Sequence, residues 1–420
     1  MKYFIALLVS FVVIGCGGGG SNSDLDNNVT NNLDKNTTQV NQGGKDKNST
    51  SSKENNTTTH SGNNTNKDNS DKNSTQTDKD NTNNNSDKNS TKSPDNNTTT
   101  PPNSGANKEK NSTQALSDID IKVMFSKTSG AFYKGGVDNN ITDDIKNAKK
   151  SIYMAMYELT NKNITQALID AKNRGVIVKV TTDNETKDYE KFKELRDANI
   201  SVTDDGDSNH LMHDKFMVID GKIVWSGSGN YTVYSFYRNY ENYVRVKDKD
   251  VADAYIKEFK LLDTKDKTLY IGYSFEKLDI YFSPDSDFEK DIIAKINGAK
   301  KSVHFLAFSF TNQDIADALI EAKNRGVEVK GVFDEGQNNY QAYSKYDYLL
   351  ANDIDVKIDG SKYKLHSKVI IIDNNLTITG SYNFTKQADD RNNENSLVII
   401  NSDIAKKYNQ NFNTIYKEAQ

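Results

Sequence analysis

The sequence is short of cysteine, of histidine and of long apolar runs, and each shortage excludes something. One cysteine, Cys16, among 420 residues rules out an internal disulfide. Five histidines and that single thiol leave little from which to build a zinc centre, so no metal and no other cofactor is expected. The apolar run at residues 3–14 is too short to span a bilayer. A net charge of only −5 argues against a tight duplex-nucleic-acid binder, because phosphate neutralisation dominates such affinity. Local basic patches at a cleft remain compatible with it.

Apolar residues are also scarce, at 34%, and unevenly so. Residues 21–111 are almost wholly Asn, Thr, Ser, Asp and Lys, which cannot bury enough surface to offset the entropy of ordering. The expected organisation is a leader at 1–15, a disordered spacer at 16–117, and two folded domains at 118–265 and 270–420. About 90 residues of flexible spacer would have an r.m.s. span of roughly 50 Å. Roughly 300 residues remain, enough for a substantial core.

The leader starts with Met1-Lys2, continues through the apolar run and ends in Val13-Ile14-Gly15-Cys16. That ending resembles the bacterial lipoprotein signal, which implies export and a diacylglyceryl group on Cys16. Gly17 after the cysteine implies sorting to an outer membrane, on its periplasmic or its outer face. An ordinary export signal with a chance cysteine is the alternative. Within the spacer, an acidic residue recurs two before, and Ser or Thr two after, Asn28, Asn36, Asn48, Asn56, Asn73, Asn89, Asn97 and Asn111. This pattern is similar to the extended acceptor of bacterial periplasmic N-glycosylation. Duplication of a short polar unit such as Asp-Lys-Asn-Ser-Thr would produce it too.

The remainder repeats itself. Ala148-Lys149-Lys150-Ser151 recurs as Ala299-Lys300-Lys301-Ser302, and Ala171-Lys172-Asn173-Arg174-Gly175 as Ala322-Lys323-Asn324-Arg325-Gly326, both at an offset of 151. In each copy a strand at 151–157 or 302–308 precedes a helix beginning near Asn163 or Asp314. Ile164, Ala167, Leu168 and Ala171, and again Ile315, Ala318, Leu319 and Ala322, have the spacing of a buried helical stripe. Gly175 and Gly326 stand where a left-handed C-cap belongs, and another strand follows. Strand–helix–strand order predicts parallel pairing and an α/β fold, a mixed sheet flanked by helices in each copy.

Seven positions then match at a common offset of 153: His213, Lys215, Asp220, Gly227, Ser228, Asn230 and Glu241 pair with His366, Lys368, Asp373, Gly380, Ser381, Asn383 and Glu394. Phosphodiester cleavage needs a nucleophile, an acid for the leaving oxygen, and cationic or N–H donors for the non-bridging oxygens. Were the copies to pack about a pseudo-two-fold axis, the two His-Lys pairs would meet at one cleft. One imidazole would attack phosphorus and the other would protonate the departing alcohol. Lys215, Lys368, Asn230 and Asn383 would hold the phosphoryl oxygens, with Ser228 and Ser381 adding hydroxyl contacts. His304 is expected to be a satisfied core histidine, His210 to line the cleft entrance, and Trp225 to pack in the core.

The twice-repeated H-x-K-x4-D-x6-G-S-x-N pattern resembles the defining motif of the phospholipase D superfamily, over residues 119–418. The resemblance implies two tandem phospholipase D-like α/β sandwich domains related by pseudo-two-fold symmetry, and a phosphohistidine intermediate. It implies His213 as nucleophile and His366 as acid, Glu241 and Glu394 as hydrogen-bond partners of an active-site His, and structural roles for Asp220 and Asp373. The second copy, with His366-Ser367-Lys368-Val369-Ile370-Ile371-Ile372-Asp373, Gly380-Ser381-Tyr382-Asn383-Phe384-Thr385 and Asn393-Glu394-Asn395, is similar to small bacterial endonucleases that act as dimers of one-motif chains. The first copy departs, having Gly229 where the second has Tyr382. The expected function is a metal-independent endonuclease, monomeric with an internal pseudo-dimer. A phospholipase D acting on membrane phospholipid is the alternative, and a surface binding module without turnover the more distant one.

Overall fold

In both copies the helix that follows the first repeated strand forms where the apolar stripe and a capping asparagine coincide. Asn161 accepts the N–H groups of Asn163 and Ile164 at the head of Lys162–Asn173, and Asn312 accepts that of Ile315 at the head of Gln313–Asn324. Gly175 (φ +89°) and Gly326 (φ +87°) end these helices in the left-handed region. The strand–helix–strand order is thus present twice.

In the computed structural model the described residues are 109–110, 119–126, 128, 136–207, 209–266, 272–284, 286–340 and 343–420. Cys16 and all eight acceptor asparagines, Asn28 to Asn111, lie outside them, as does the leader. The strands in chain order are β1 (Glu109–Lys110), β2 (Asp120–Phe125), β3 (Ser151–Met156), β4 (Ile177–Thr182), β5 (Ser201–Asp204), β6 (Lys215–Ile219), β7 (Ile223–Gly227) and β8 (Asn242–Lys247). They continue as β9 (Gly272–Ser274), β10 (Leu278–Ser283), β11 (Ser302–Ala307), β12 (Glu328–Phe333), β13 (Asp355–Ile358), β14 (Lys368–Ile372), β15 (Leu376–Gly380) and β16 (Glu394–Ile400). One sheet has the order β2-β8-β7-β6-β3-β4-β5, and the other repeats it as β10-β16-β15-β14-β11-β12-β13 with β1 and β9 added at its edge. In each seven-stranded repeat, the last three strands pair in parallel and the others antiparallel. Glu109–Lys110 falls inside the stretch expected to be spacer, yet it pairs in parallel with Gly272–Ser274.

Both sheets belong to one compact unit. An outer apolar core lies under the helices of each copy, built on Ile164, Leu168 and Trp225 in the first and Ile315, Leu319 and Phe305 in the second. A third core joins the copies: Tyr255 and Phe259 of helix Lys249–Thr264 and Tyr408 and Phe412 of helix Ser402–Glu418 share it with Phe216, Val244, Leu306 and Leu397. Trp225 is buried, as expected, and its Nε1 donates to Asp144. His304 is half-buried and satisfied, between Asn409 (2.8 Å) and Glu328 (2.9 Å) and stacked on Phe412.

The departure at Gly229 has a packing cause. A Cβ there would lie 2.2 Å from the hydroxyl oxygen of Tyr243, whose ring stacks on Phe236. In the second copy the same space is filled from the other strand: Tyr382 replaces Gly229, and Ser396 replaces Tyr243. A glycine–tyrosine pair has become a tyrosine–serine pair of similar total volume. Gly229→Tyr alone is therefore expected to destabilise the fold by about 3 kcal/mol or more. Adding Tyr243→Ser should recover most of that loss in chemical denaturation; two penalties that simply add would contradict the exchange.

Candidate active site

Asp220 and Asp373 have left-handed backbones (φ +54° each), which aspartate tolerates. The Asp220 carboxylate accepts the N–H groups of Lys149, Lys150 and Ser151, and that of Asp373 those of Lys300, Lys301 and Ser302. Each thus ties the end of the His-Lys strand to the start of its antiparallel neighbour, at the opposite end of the strand from the histidine. Gly227 and Gly380 turn the chain at the other end. At both, φ is strongly positive, and a Cβ would fall 2.3 Å and 2.1 Å from the carbonyl oxygens of Asn242 and Asn395.

Between these supports the two copies exchange groups. His213 Nδ1 lies 2.9 and 2.8 Å from the carboxylate oxygens of Glu394, and His366 Nδ1 lies 2.9 and 3.0 Å from those of Glu241. Each imidazole is therefore oriented by the glutamate of the opposite copy. The backbone crosses in the same way: His213 N donates to Asn393 O (2.9 Å), and His366 N to Tyr240 O (3.0 Å). With Nδ1 committed to a carboxylate, Nε2 is the nitrogen left to react on each ring. His213, His366, Lys215 and Lys368 are each no more than 2% exposed, and the lysine Nζ atoms donate to the carbonyls of His213 and His366. Tyr157 and Phe308 pack edge-on against the two imidazoles.

Ser228 and Ser381, expected to add hydroxyl contacts to phosphate, are engaged with the two glutamates. Ser228 Oγ donates to Glu241 (2.6 Å) and accepts from Asn242 N, while Ser381 Oγ sits between Glu394 and the Asn395 backbone. Both are fully buried, and a hydroxyl has one proton to give. Asn230 also has a partner of its own, since its Nδ2 donates to Glu158 (3.1 Å). The Oδ1 of Asn383 is buried without a hydrogen bond. His210 is paired with Asp207 (2.9 Å) at the rim.

Several supporting residues were not anticipated. Asp183 and Asp334 accept the N–H groups of Met212 (2.8 Å) and Leu365 (2.9 Å), the residues just before the two histidines. They stand 151 apart in the sequence, each at the end of a repeated strand, so the repeat itself carried their signal. Glu158, Asp214 and Glu258 occupy positions matched by Ser309, Ser367 and Asn411, so at these three positions the first copy buries an acid and the second does not. Asp214 Oδ1 accepts from Asn395 Nδ2 across the interface.

Burial sets the charge states. It pushes the Glu394 carboxyl up to about 7 against the pull of Lys215. Burial acts on Glu241 too, but the His366 charge and hydrogen bond, with Lys368 and Ser228, bring that carboxyl below its ordinary value. Burial raises the Glu158 carboxyl, with Lys215, His366 and Lys364 opposing. It raises Asp183 to about 6 and Asp205, Asp214 and Asp359 to about 7.

These four aspartates bind protons more tightly folded than unfolded. The stability they contribute is full below about pH 4 and is lost as pH rises through their folded values. The melting temperature is expected to fall between pH 5 and pH 8, and Asp214→Asn should flatten that slope. A melting temperature that climbs across the window would count against these burial effects.

A family model described as cardiolipin synthase, PLD-like domain, matches residues 141–262 and 292–416, one match per copy. A phospholipase D of Rickettsia bellii is 41% identical over 139 residues, 33% of this chain and 69% of the relative. A mitochondrial cardiolipin hydrolase of Chlamydomonas reinhardtii is 32% identical over 121 residues, 29% of this chain and 54% of the relative. The solved phosphatidylserine synthase of Haemophilus influenzae aligns with a TM-score of 0.55 at 13% identity, covering 71% of this chain and 87% of that one, a likeness of fold.

Proposed function

The chain belongs to the phospholipase D superfamily of phosphodiesterases, and from that premise we propose that it is an endonuclease working through a phosphohistidine, without a metal ion. The crossed pairing of His213 with Glu394 and His366 with Glu241 carries the mechanistic part, because it brings two oriented imidazoles to one cleft. His213 Nε2 attacks phosphorus, the bond to the leaving oxygen breaks, and the His366 imidazolium gives that oxygen its proton. Water then attacks the phosphohistidine, transfers a proton to the now neutral His366, and displaces His213. Lys215 and Lys368 offset the charge that develops on the phosphoryl oxygens. The division of roles is supported by Glu158, a carboxyl group facing Lys215 and His366, where the matched position of the second copy holds Ser309. Glu241 and Glu394 are positioning residues.

For the substrate, the cleft walls favour nucleic acid: the residues next to the histidines are Tyr157, Phe308 and Lys364 rather than exposed aliphatic side chains. Hydrolysis of phospholipid is the second reading, favoured by the names phospholipase D and mitochondrial cardiolipin hydrolase among the relatives. An exported protein, lipid-anchored through Cys16 and monomeric, is part of the same proposal. Incorporation of labelled palmitate that survives Cys16→Ser would remove the anchor.

The purified chain in excess chelator should nick plasmid and single-stranded DNA and release little headgroup from phospholipid vesicles; the reverse pattern would hand the substrate to the second reading. His213→Asn and His366→Asn should each lower kcat by about 10³ or more. With a p-nitrophenyl diester, whose leaving group needs no acid, phosphoenzyme should accumulate on His213 in the His366→Asn chain. One neutral and one protonated imidazole require a bell-shaped pH dependence of kcat/KM. A flat profile between pH 5 and 8 would rule out the two-histidine scheme.

A further inference from the structure

The two arms of the cleft are related by the same pseudo-symmetry as the histidines, yet their surfaces differ. On the His366 side run Lys362, Tyr363 and Lys364, matched across the axis by Asn209, His210 and Leu211. The Lys364 carbonyl accepts the Tyr240 N–H, which joins this run to the segment carrying Tyr234 and Arg238. The Arg238 guanidinium lies 4.2 Å from the ring centre of Tyr234 and 5.7 Å from that of Tyr363. Lys364 Nζ lies 5.6 Å from the centre of Phe308, whose ring is 4.5 Å from that of His366. A strip of alternating cations and aromatic faces thus runs outward from the acid histidine. Tyr234 is 51% exposed and Lys362 exposed, so the strip faces solvent.

The opposite arm lacks this character. Arg391 matches Arg238, but Gln387 stands for Tyr234, and His210 is tied to Asp207. Both arms carry equivalent aspartates, Asp183 and Asp205 on one and Asp334 and Asp359 on the other, so these do not distinguish them.

We propose that Arg238, Lys362, Tyr363 and Lys364 form a one-sided subsite for single-stranded nucleic acid, which grips the fragment that departs as the alcohol. The proposal rests on the nuclease reading and adds a direction to it. Bases stack on exposed tyrosine faces while cations between them meet the phosphates, a combination suited to single strands. The strip adjoins His366, the proton donor, and the leaving oxygen must lie on that side of phosphorus. The fragment retained on His213 points over the other arm, which offers no matching strip.

The test compares the full chain with its Arg238→Ala/Lys362→Ala/Tyr363→Ala variant on a single-stranded oligonucleotide and on bis-p-nitrophenyl phosphate. The ratio of the two kcat/KM values should fall about tenfold or more in the variant, and the salt slope should flatten by about 0.7 per cation removed. A p-nitrophenyl ester of an oligonucleotide, in which the tail stays on the retained phosphoryl group, should lose much less. A ratio within about twofold of the parent overturns the subsite, and equal losses on both tailed substrates overturn its direction. A loss confined to anionic phospholipid vesicles makes the strip a membrane contact and overturns it as well. If the parent cleaves no nucleic acid, the nuclease reading fails by itself. Binding of a labelled single strand to the His213→Asn chain then decides the subsite: weakening by the strip substitutions keeps it, and unchanged binding overturns it.

Discussion

The site depends on an exchange: each imidazole takes its orienting carboxylate from the other copy. Glu394 reaches His213 and Glu241 reaches His366, while the backbone N–H of each histidine is held by a carbonyl from across the axis. Neither half-site is complete by itself. Separated, each copy would keep a His-Lys strand whose ring has lost its tautomer-fixing partner, and a glutamate with no cation to face. The burial of these groups makes that loss severe, because an ionised group left unpaired in a dry interior costs several kcal/mol. The catalytic arrangement and the joining of the halves are therefore one energetic event.

Around that exchange, the repeat has diverged where a fused chain is free to do so. Some changes are mutual and leave the geometry alone. Gly229 with Tyr243 becomes Tyr382 with Ser396, and Met154 with Val180 becomes Phe305 with Gly331, where a Cβ would lie 2.0 Å from the Phe305 ring. Others break the symmetry. Glu158, Asp214 and Glu258 against Ser309, Ser367 and Asn411 give the first copy three buried acids that have no counterpart in the second. A two-histidine displacement is asymmetric in its chemistry, since one ring must arrive neutral and the other protonated. Two identical chains must create that difference each time substrate binds. A single chain can build it into the sequence.

Much of this was legible beforehand, and the reasons are local. The repeated strand–helix–strand units followed from apolar spacing and the terminal glycine of each helix. The 153-residue offset carried His213, Lys215, Asn230, Glu241 and their partners as a set. What was not legible depended on contacts between distant segments. That the glutamates cross over, rather than serve their own copy, is decided by how the halves dock. Ser228 was read as a phosphate contact because it lies in the motif, but its proton is given to Glu241 in a fully buried pocket. Asp183 and Asp334 act only once the residue before each histidine has been brought to them by the fold.

The same burial explains how a site holding so many charges can meet an anion. Lys215 and Lys368 are almost wholly enclosed, and in water their attraction for a phosphate would be weak. Here they face Glu158, Glu241 and Glu394 in surroundings that water does not screen, so the cations are already desolvated and fixed before substrate arrives. A diester brings one negative charge into a cluster that already sets lysines against carboxyl groups. The cluster need not reorganise as charge moves from the phosphoryl oxygens to the leaving oxygen. Preorganisation of this kind favours the transition state over the bound substrate, and it comes from the duplicated fold rather than from any single residue.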